Sequence, residues 1–457
     1  MKTKLSLATT ISPNRLAAPL TTARAPKLLP LLLLLALPAV VHAQFTYETN
    51  NGAITITGYS GPDGAITIPD TINDLPVTSI GDIAFADHGE LTSVTIGANV
   101  ITIGYQACCR CINLTSITIP NSVIRIGDSA FMGCTSLPDV TIPNSVTSIG
   151  TSAFQDCASL MNITTPDSVT NIGNCAFANC SSLMAITVDA GNLSFSSLDG
   201  ILFDKSQITL IQYPGGKGGS CVIPDSVTSI GTSAFANCTN LTNVSIPDSV
   251  TNIGIGAFYS CSSLTSLVIP DSVTSLGDQA FGFCTSLTNL TIGNGVTTIG
   301  TSAFYRCTSL TSVVIPDSVT SLGDQVFDDC FSLTNLTIGN SVINIGIAAF
   351  FSCYDLTSVT IPDGVTDIGY NAFGGCSSLT NLTLGNCLTR IATSTFQGCI
   401  NLTSVTIPDS ATDIGNNAFS LCHRLASVVI PNSVTNIGFS AFRSCESLTS
   451  ITLLRVY

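Results

Sequence analysis

One sequence pattern returns every 23 residues over most of the chain and limits the folds that the chain can adopt. The segment Leu264–Ser286 reads LTSLVIPDSVTSLGDQAFGFCTS, and its Phe position recurs fifteen times between residues 85 and 442. A fixed period of about 20 to 50 residues is the signature of a protein built from stacked repeats. Because each repeat contacts mainly its neighbours, the chain is expected to form an elongated solenoid.

The spacing within one unit predicts a coil with three short sides. In Leu-x-x-Val-x-Ile the apolar residues alternate, as in a strand with one buried face. Pro-Asp-Ser then forms a turn, because Pro fixes φ and the Asp side chain bonds its own backbone. Val-x-x-Ile-Gly is a second short strand, and the Gly permits a tight corner. The following Ala, Phe and Cys lie at helical spacing, which predicts one short helical turn.

A single coil cannot bury its own Leu, Val, Ile and Phe side chains. Stacked coils bury them in continuous columns, and stability becomes a sum over neighbouring coils. Each such side chain contributes ~1.5–3 kcal/mol when it is fully buried. With strands stacked ~4.8 Å apart, the predicted rod is on the order of 75 Å long.

The consensus L-x-x-V-x-I-P-D-S-V-x-x-I-G-x-x-A-F-x-x-C is similar to the 23-residue repeat of the BspA-like leucine-rich repeat proteins, a bacterial surface family. The resemblance covers about Asn73 to Tyr457. It implies a β-rich α/β leucine-rich repeat solenoid of right-handed coils, with a parallel sheet, short helical turns and about 15 regular repeats. It also implies a protein that binds other proteins or cells, and it carries over no catalytic residue.

The first 43 residues differ from the rest and predict a signal peptide. They hold five basic residues and no acidic one, followed by the apolar run from Leu28 to Val41 and the small residues of Val41-His42-Ala43. Fourteen apolar residues are too few to span a bilayer, so a membrane anchor is the weaker interpretation. We expect cleavage near Ala43 and a mature chain that begins at Gln44 and is secreted or held at the cell surface.

Charge narrows the range of partners. Removal of the signal peptide leaves nine basic and 28 acidic residues, a net charge of −19. Such a polyanion repels nucleic acid and anionic lipid, so neither is an expected partner. After residue 43 the apolar residues are spaced apart, and no transmembrane segment is predicted. An extracellular protein or glycan is the partner that remains.

Irregular segments divide the mature chain. Residues 44–73 predict an N-terminal β cap with a hairpin at Asn50-Asn51-Gly52, and regular repeats follow over 74–188. Residues 189–220 form an irregular insertion, which resembles one common in the family, and its Gly-rich end predicts a plain loop and not a phosphate loop. Repeats resume over 221–457 with no evident C-terminal cap, so end-to-end self-association through the C-terminal edge is a further hypothesis.

The periodic polar residues have structural explanations. Fourteen of the nineteen cysteines occupy one column, where buried free thiols are favoured and disulfides are the alternative. The recurrent Asp after Pro is explained better as a turn residue than as a calcium ladder. We therefore expect no catalytic, cofactor or metal site, and the chain is predicted not to be an enzyme.

Positions that depart from the consensus are where a partner is expected to bind. Aromatic residues appear in alternate coils after the repeat Phe, with further rings and one Arg in the same corner of the coils. We name this set the aromatic ridge; its members are Tyr259, Phe283, Tyr305, Arg306, Phe331, Phe351 and Tyr354. Exposed aromatics and Arg are typical interface anchors. The alternative is that these side chains fold back and cover neighbouring coils.

Three functions are compatible with the sequence. The first is a non-enzymatic secreted or cell-surface protein that mediates protein–protein or cell-adhesion contacts. The second is a structural envelope protein that associates with copies of itself. The third is a carbohydrate-binding or carbohydrate-active protein, for which the outward Ser, Asn and Thr of the strands, such as Asn289 and Thr291, offer a polar face.

Overall fold

The computed structural model describes residues 44–453, which form a stack of short β-strands joined by turns. The predicted signal peptide lies outside these residues. In chain order the strands are β1 (Phe45–Asn50), β2 (Ala53–Tyr59), β3 (Gly64–Thr67), β4 (Thr71–Ile72), β5 (Leu75–Ile80), β6 (Leu91–Thr95), β7 (Thr102–Ile103), β8 (Ser116–Thr118), β9 (Arg125–Ile126), β10 (Ser148–Ile149), β11 (Asn162–Thr165), β12 (Asn171–Ile172), β13 (Ala185–Val188), β14 (Phe195–Leu198), β15 (Ile201–Asp204), β16 (Thr209–Gln212), β17 (Gly219–Val222), β18 (Ser229–Ile230), β19 (Leu241–Ser245), β20 (Asn252–Ile253), β21 (Ser266–Ile269), β22 (Ser275–Leu276), β23 (Asn289–Ile292), β24 (Thr298–Ile299), β25 (Ser312–Val314), β26 (Ser321–Leu322), β27 (Asn335–Thr337), β28 (Asn344–Ile345), β29 (Ser358–Thr360), β30 (Asp367–Ile368), β31 (Asn381–Thr383), β32 (Arg390–Ile391), β33 (Ser404–Thr406), β34 (Asp413–Ile414), β35 (Ser427–Ile430), β36 (Asn436–Ile437) and β37 (Ser450–Leu453).

Two sides of each coil are strands, and each side stacks on the next coil in parallel. On the Leu-x-x-Val side, β21 pairs with β23 so that Ser266 lies opposite Asn289. On the Val-x-x-Ile side, β22 pairs with β24 so that Leu276 lies opposite Ile299. Both pairings join residues 23 apart. The sequence period is therefore the length of one coil, and equivalent residues lie in columns along the stack.

The solenoid has about 17 turns, two more than the regular repeats. The first extra turn comes from the N-terminal hairpin, because β2 pairs in parallel with β5 of the first regular coil. The second comes from the insertion, because β16 pairs in parallel with β18. Neither segment follows the consensus closely enough to be counted from the sequence. The right-handed sense of the coils stays a prediction.

The third side of the coil is not helical, and the prediction of short helical turns is wrong. No helix is present within residues 44–453. The segment from the consensus Gly to Cys, here named the corner segment, has two residues with positive φ, such as Gln279 (54°) and Phe283 (61°). A left-handed residue cannot continue a right-handed helix. Alternate backbone N–H groups bond the next coil instead, as when Phe281 donates to Ala303 at 2.8 Å.

The repeat Phe residues form an aromatic column through the core. From Tyr213 to Phe442, successive rings stack with centroids 4.5 to 5.6 Å apart and planes within 24° of parallel. Each ring from Phe235 to Phe419 is fully buried. The column is interrupted near the N-terminus, where Cys108 occupies the Phe position and is also fully buried. The column fixes the direction of every corner segment along this part of the rod.

All nineteen cysteines are free in the structure, as the free-thiol interpretation requires. A column thiol donates to the carbonyl oxygen of the Phe in the preceding coil, for example Cys284 to Phe258 at 3.3 Å. Burial raises the pKa of the Cys284 thiol to about 12. The thiols therefore act as small apolar groups with one weak hydrogen bond each.

The irregular segments have defined structures. The hairpin predicted at Asn50-Asn51-Gly52 is present, because β1 pairs antiparallel with β2 around it. The insertion contains an antiparallel meander of β14, β15 and β16. At the other end, β37 pairs with β35 and with no other strand that the structure describes. The predicted domain boundaries themselves stay predictions.

Candidate functional site

The corner segments present two outward positions, one and two residues after the repeat Phe, because the Phe ring itself points into the core. The first position is usually small, as at Ala236 in an ordinary coil. In six successive coils it reads Tyr259, Gly282, Tyr305, Asp328, Phe351 and Gly374. Rings therefore alternate with residues that leave space beside them.

Four members of the aromatic ridge form one connected cluster. The rings of Tyr259 and Phe283 meet edge to face with centroids 5.3 Å apart, and those of Phe283 and Tyr305 do so at 5.2 Å. The Arg306 guanidinium lies 5.5 Å from the Phe283 centroid and 5.3 Å from the Tyr305 centroid. Edge-to-face rings contribute ~0.5–1.5 kcal/mol per pair beyond their area burial. The cluster is therefore held in one arrangement across three coils.

A carboxylate orients the guanidinium of the cluster. The Nε of Arg306 donates to Oδ2 of Asp329 in the next coil at 2.9 Å. This hydrogen bond is the main cause of a raised pKa for Arg306. Burial raises the pKa of Tyr305, while the nearby guanidinium acts in the opposite direction. The Arg306 side chain remains 47% exposed, so its ion pair leaves donors available to a partner.

The other three members of the aromatic ridge lie one or two coils further on. Phe331 and Tyr354 stack with centroids 5.1 Å apart and planes 11° from parallel. Phe351 packs against the backbone of Gly374, where an added Cβ would lie 3.1 Å from the ring. The structure therefore divides the predicted set into a four-residue cluster, a stacked pair and one ring beside a glycine.

The sequence left two alternatives for the aromatic ridge, exposed side chains or side chains folded back over neighbouring coils. The structure shows a state between the two. Arg306 and Tyr354 are exposed, and the other five side chains are half-buried. The rings do contact neighbouring coils, as Tyr259 does at Gly282. None of the seven is fully buried, so each presents part of its surface to solvent. That the ridge binds a partner stays a prediction.

Sequence reasoning missed a carboxyl group inside the ridge. Asp328 follows the repeat Phe between the coils of Tyr305 and Phe351, is only 6% exposed, and its Oδ1 has no hydrogen-bond partner. Burial, with the neighbouring Asp329 carboxylate, raises the pKa of Asp328 to about 7. The signal was present, because Asp328 is the only acidic residue at the first outward position among the fifteen repeats.

The polar strand face forms shallow grooves where successive coils meet. One groove of about 300 Å³ is lined by Thr383, Asn386, Ser404 and Thr406. An open groove of similar volume, about 320 Å³, lies between other coils at Thr141, Asn144 and Thr164. Since such grooves recur with the repeat, they follow from the stacking of hydroxyl-bearing strands. That the polar strand face binds a ligand also stays a prediction.

The comparison with family models decides what kind of solenoid this is. The model described as BspA type leucine rich repeat region (6 copies) matches residues 65–184, 101–219, 217–334 and 320–449. The matches together span most of the chain. The chain belongs to the BspA-type leucine-rich repeat family. The resemblance drawn from the consensus is thereby confirmed.

Solved structures of bacterial leucine-rich repeat proteins share this fold. A leucine-rich repeat protein from Bacteroides ovatus is 31% identical, with 90% of this chain and 98% of that chain covered and a TM-score of 0.54. One from Eubacterium ventriosum is 29% identical, with 71% and 90% covered and a TM-score of 0.62. No match was found among curated proteins.

Membership of the BspA-type family bears on function in a general way. Proteins of this type are generally binding scaffolds and are typically found at the cell surface. Within residues 44–453 no group of three His, Cys, Asp or Glu side chains is placed to hold a metal ion. The same part of the chain has no helix with the length and apolarity that membrane crossing requires.

Proposed function

We propose that this BspA-type protein is an exported, non-enzymatic adhesion scaffold that binds an extracellular protein through its aromatic ridge. The observation that supports the proposal is the partly exposed cluster of Tyr259, Phe283, Tyr305 and Arg306, which places aromatic rings where most coils have small or polar corner residues. Interface hot spots are enriched in aromatic residues and Arg. A rigid cluster also loses little side-chain entropy when a partner binds.

The cluster uses a backbone conformation that the repeat supplies at this corner position. Phe283 and Arg306 both have positive φ, 61° and 58°. The same position also has positive φ in coils outside the cluster, with Asn179 in one and with Arg110 and Leu421 in others. The fold therefore accepts a large side chain at this position, and the repeat sets the direction in which that side chain leaves the backbone.

The net charge and the predicted signal peptide also support the proposal. The net charge of −19 after residue 43 favours partners with basic surfaces, which it attracts over a Debye length of ~8 Å at physiological salt. The signal peptide predicted over residues 1–43 delivers the chain to the secretory route, and cleavage near Ala43 releases it or leaves it at the cell surface.

The test is a binding screen of residues 44–457 against arrayed extracellular-matrix proteins. The ridge variant combines Tyr305→Ala with Phe351→Ala, since Ala occupies this position at Ala178 and Ala236. The matched control combines Val268→Thr with Val314→Thr on the strand face, where these side chains are 57% and 59% exposed. Thr occupies the same strand position at Thr291 and Thr337, so the control keeps the strand propensity.

Saturable binding that the ridge variant loses and the control keeps supports the proposal. Equal binding by both variants contradicts the ridge as the site. Self-association is the alternative function, and the free edge of β37 among the described strands is the feature that favours it. No binding, together with concentration-dependent assembly on a sizing column, would replace the adhesion scaffold with this structural role.

A further inference from the structure

The insertion leaves a gap in the row of corner segments. Leu210 and Cys221 of the insertion coil pair with Ile230 and Val244 of the next coil, on either side of the corner. Between these paired residues, the insertion coil has three residues fewer than the next coil has. Its corner therefore cannot reach as far outward as those on either side. The coils before and after it meet across the shortened corner.

An amide ladder joins those two coils. The Nδ2 of Asn237 donates to Oδ1 of Asn179 at 2.6 Å, although the residues are 58 apart in sequence. The Nδ2 of Asn179 donates in turn to Oδ1 of Asp156 at 2.8 Å, and Gln155 donates to the other oxygen of Asp156 at 3.3 Å. Each bond restrains the rotation of a polar side chain. The ladder therefore positions amide groups before any ligand arrives.

A cavity of about 170 Å³ lies beside this ladder, and we name it the amide notch. Its polar lining comprises Gln155, Cys175, Asn179, Ser233, Asn237 and Gln279. Its volume is below the ~300 Å³ at which pockets for drug-sized ligands begin, so it has room for one small ring. No Asp, Glu, Lys or Arg lines it. It occurs where the repeat is broken, so the periodicity of the rod does not explain it.

The lining selects an uncharged ligand rich in hydroxyl groups. Each Asn or Gln amide offers both donors and an acceptor, which matches a hydroxyl that donates and accepts at once. An anionic ligand would lose hydration and would also face the Asp156 carboxylate, to which Asn179 and Gln155 donate; the same two amides already occupy oxygens of that carboxylate, which leaves it less available to a cation. Apolar surface from Ala178, Ala236 and Ile255, with the Tyr259 ring, suits the C–H groups of the same ligand. A pyranose ring combines both kinds of surface within this volume.

We propose that the amide notch binds one uncharged sugar ring of an extracellular glycan. The site is separate from the protein-binding role of the aromatic ridge and shares only Tyr259 with it. The ridge variant described above leaves Tyr259 and the notch intact. Loss of protein binding in that variant and loss of sugar binding in a notch variant are therefore distinguishable results.

Two Gln residues at equivalent positions of the repeat supply a matched pair of variants for the test. Gln279 lines the notch, and Gln325 occupies the equivalent position 46 residues later, outside it. Both have positive φ, 54° and 57°, so Ala introduces similar strain at either site. Gln279→Ala removes an amide that lines the notch and would bond the sugar, whereas Gln325→Ala serves as the control.

Saturation-transfer NMR with residues 44–457 measures binding of the methyl glycosides of galactose, mannose and N-acetylglucosamine. We expect saturable transfer from at least one glycoside, a dissociation constant raised about tenfold by Gln279→Ala through lost hydrogen bonds, and no change with Gln325→Ala. A second variant, Ala236→Leu, fills the notch and is expected to abolish transfer. If it misfolds by circular dichroism, the Gln279 and Gln325 pair carries the test alone.

Three results would overturn the proposal. The first is the lack of saturable transfer from all three glycosides with the folded wild-type chain. The second is transfer that Gln279→Ala leaves unchanged, because the sugar would then bind elsewhere. The third is occupation of the notch by a peptide side chain, detected when a peptide changes the Tyr259 resonances and none of the glycosides does.

Discussion

Asn237 donates its side-chain amide to Asn179 at 2.6 Å across an interval of 58 residues. The repeat period is 23, so this contact joins coils that are not consecutive along the chain. Equivalent corner positions therefore meet although a complete irregular coil separates them in sequence. The insertion changes the outline of the rod locally and leaves the order of the side-chain columns intact.

Loss of this bridge is expected to weaken the stack at the insertion. Asn237→Gly removes the amide while Gly accepts the φ of 56° without strain. We expect it to lower the free energy of unfolding by about 1 kcal/mol, the usual contribution of one hydrogen bond. Urea unfolding measures the change. Ser260→Gly, at the same position in the next coil with a φ of 57°, is the control, and an equal loss there would contradict the bridge.

Two Phe residues only two positions apart are expected to differ sharply in their effect on stability. Phe281 is a fully buried member of the aromatic column, so Phe281→Ala is expected to cost ~3–5 kcal/mol. Phe283→Asn removes a half-buried ring but also relieves its positive φ, and its net change is expected to stay within ~1 kcal/mol. Thermal unfolding of both variants decides the point. Similar large losses would show that Phe283 belongs to the core.

The sequence predicted the coil because its information is periodic. Leu264, Val273 and Phe281 each recur in a column, so their burial follows from the stacking of identical units. The corner segment was assigned wrongly for a local reason. Ala280, Phe281 and Cys284 have helical spacing, but Gln279 and Phe283 adopt left-handed backbone conformations that spacing cannot reveal.

The candidate site was predicted only in part. The members of the aromatic ridge were found because they interrupt columns of mostly small or polar residues. The contacts among these side chains were not predicted. The Tyr305 ring could cover its own coil or reach Phe283, and the corner geometry decides between the two. The amide notch was missed because Asn179 and Asn237 lie 58 residues apart at a variable corner position, so the repeat period does not predict their contact. Only the short corner of the insertion brings them together.

The raised pKa of Asp328 predicts how the stability of the fold depends on pH. Burial raises its pKa to about 7, well above its ordinary value near 3.8. Between these values the folded chain keeps a proton that the unfolded chain has lost, so stability falls as the pH rises from about 4 to about 7. Asp328→Asn removes this penalty and is expected to stabilise the fold at pH 8 by on the order of 3 kcal/mol, with little effect at pH 4.

Chemical unfolding at the two pH values measures the effect of Asp328→Asn. Asp409→Asn changes an exposed carboxylate in a repeat turn and is expected to follow the wild-type pH dependence. The prediction is contradicted if Asp328→Asn also follows the wild-type pH dependence. The Asp328 carboxyl would then ionise in the folded chain without lowering its stability, in spite of its burial.

The burial of the cysteines predicts which of them a thiol reagent modifies first. Column thiols such as Cys284 are fully buried and have raised pKa values, so they present almost no thiolate to a reagent. Cys387 is exposed. We expect a thiol reagent to modify Cys387 first, Cys387→Ser to remove that fast phase, and the column to react only on unfolding. A thiol count well below nineteen in the unfolded, unreduced chain would reveal disulfides.

The central claim is that the aromatic ridge contacts a protein partner, and affinity measured on single substitutions tests it most directly. Once a partner is identified in the matrix-protein screen, its dissociation constant is compared for wild type, Tyr305→Ala and Val314→Thr. Tyr305→Ala is expected to weaken binding by at least about 2 kcal/mol, roughly thirtyfold, as a hot-spot residue does. Val314→Thr is expected to leave the dissociation constant unchanged. Equal dissociation constants for wild type and Tyr305→Ala, with both chains folded, would contradict the account.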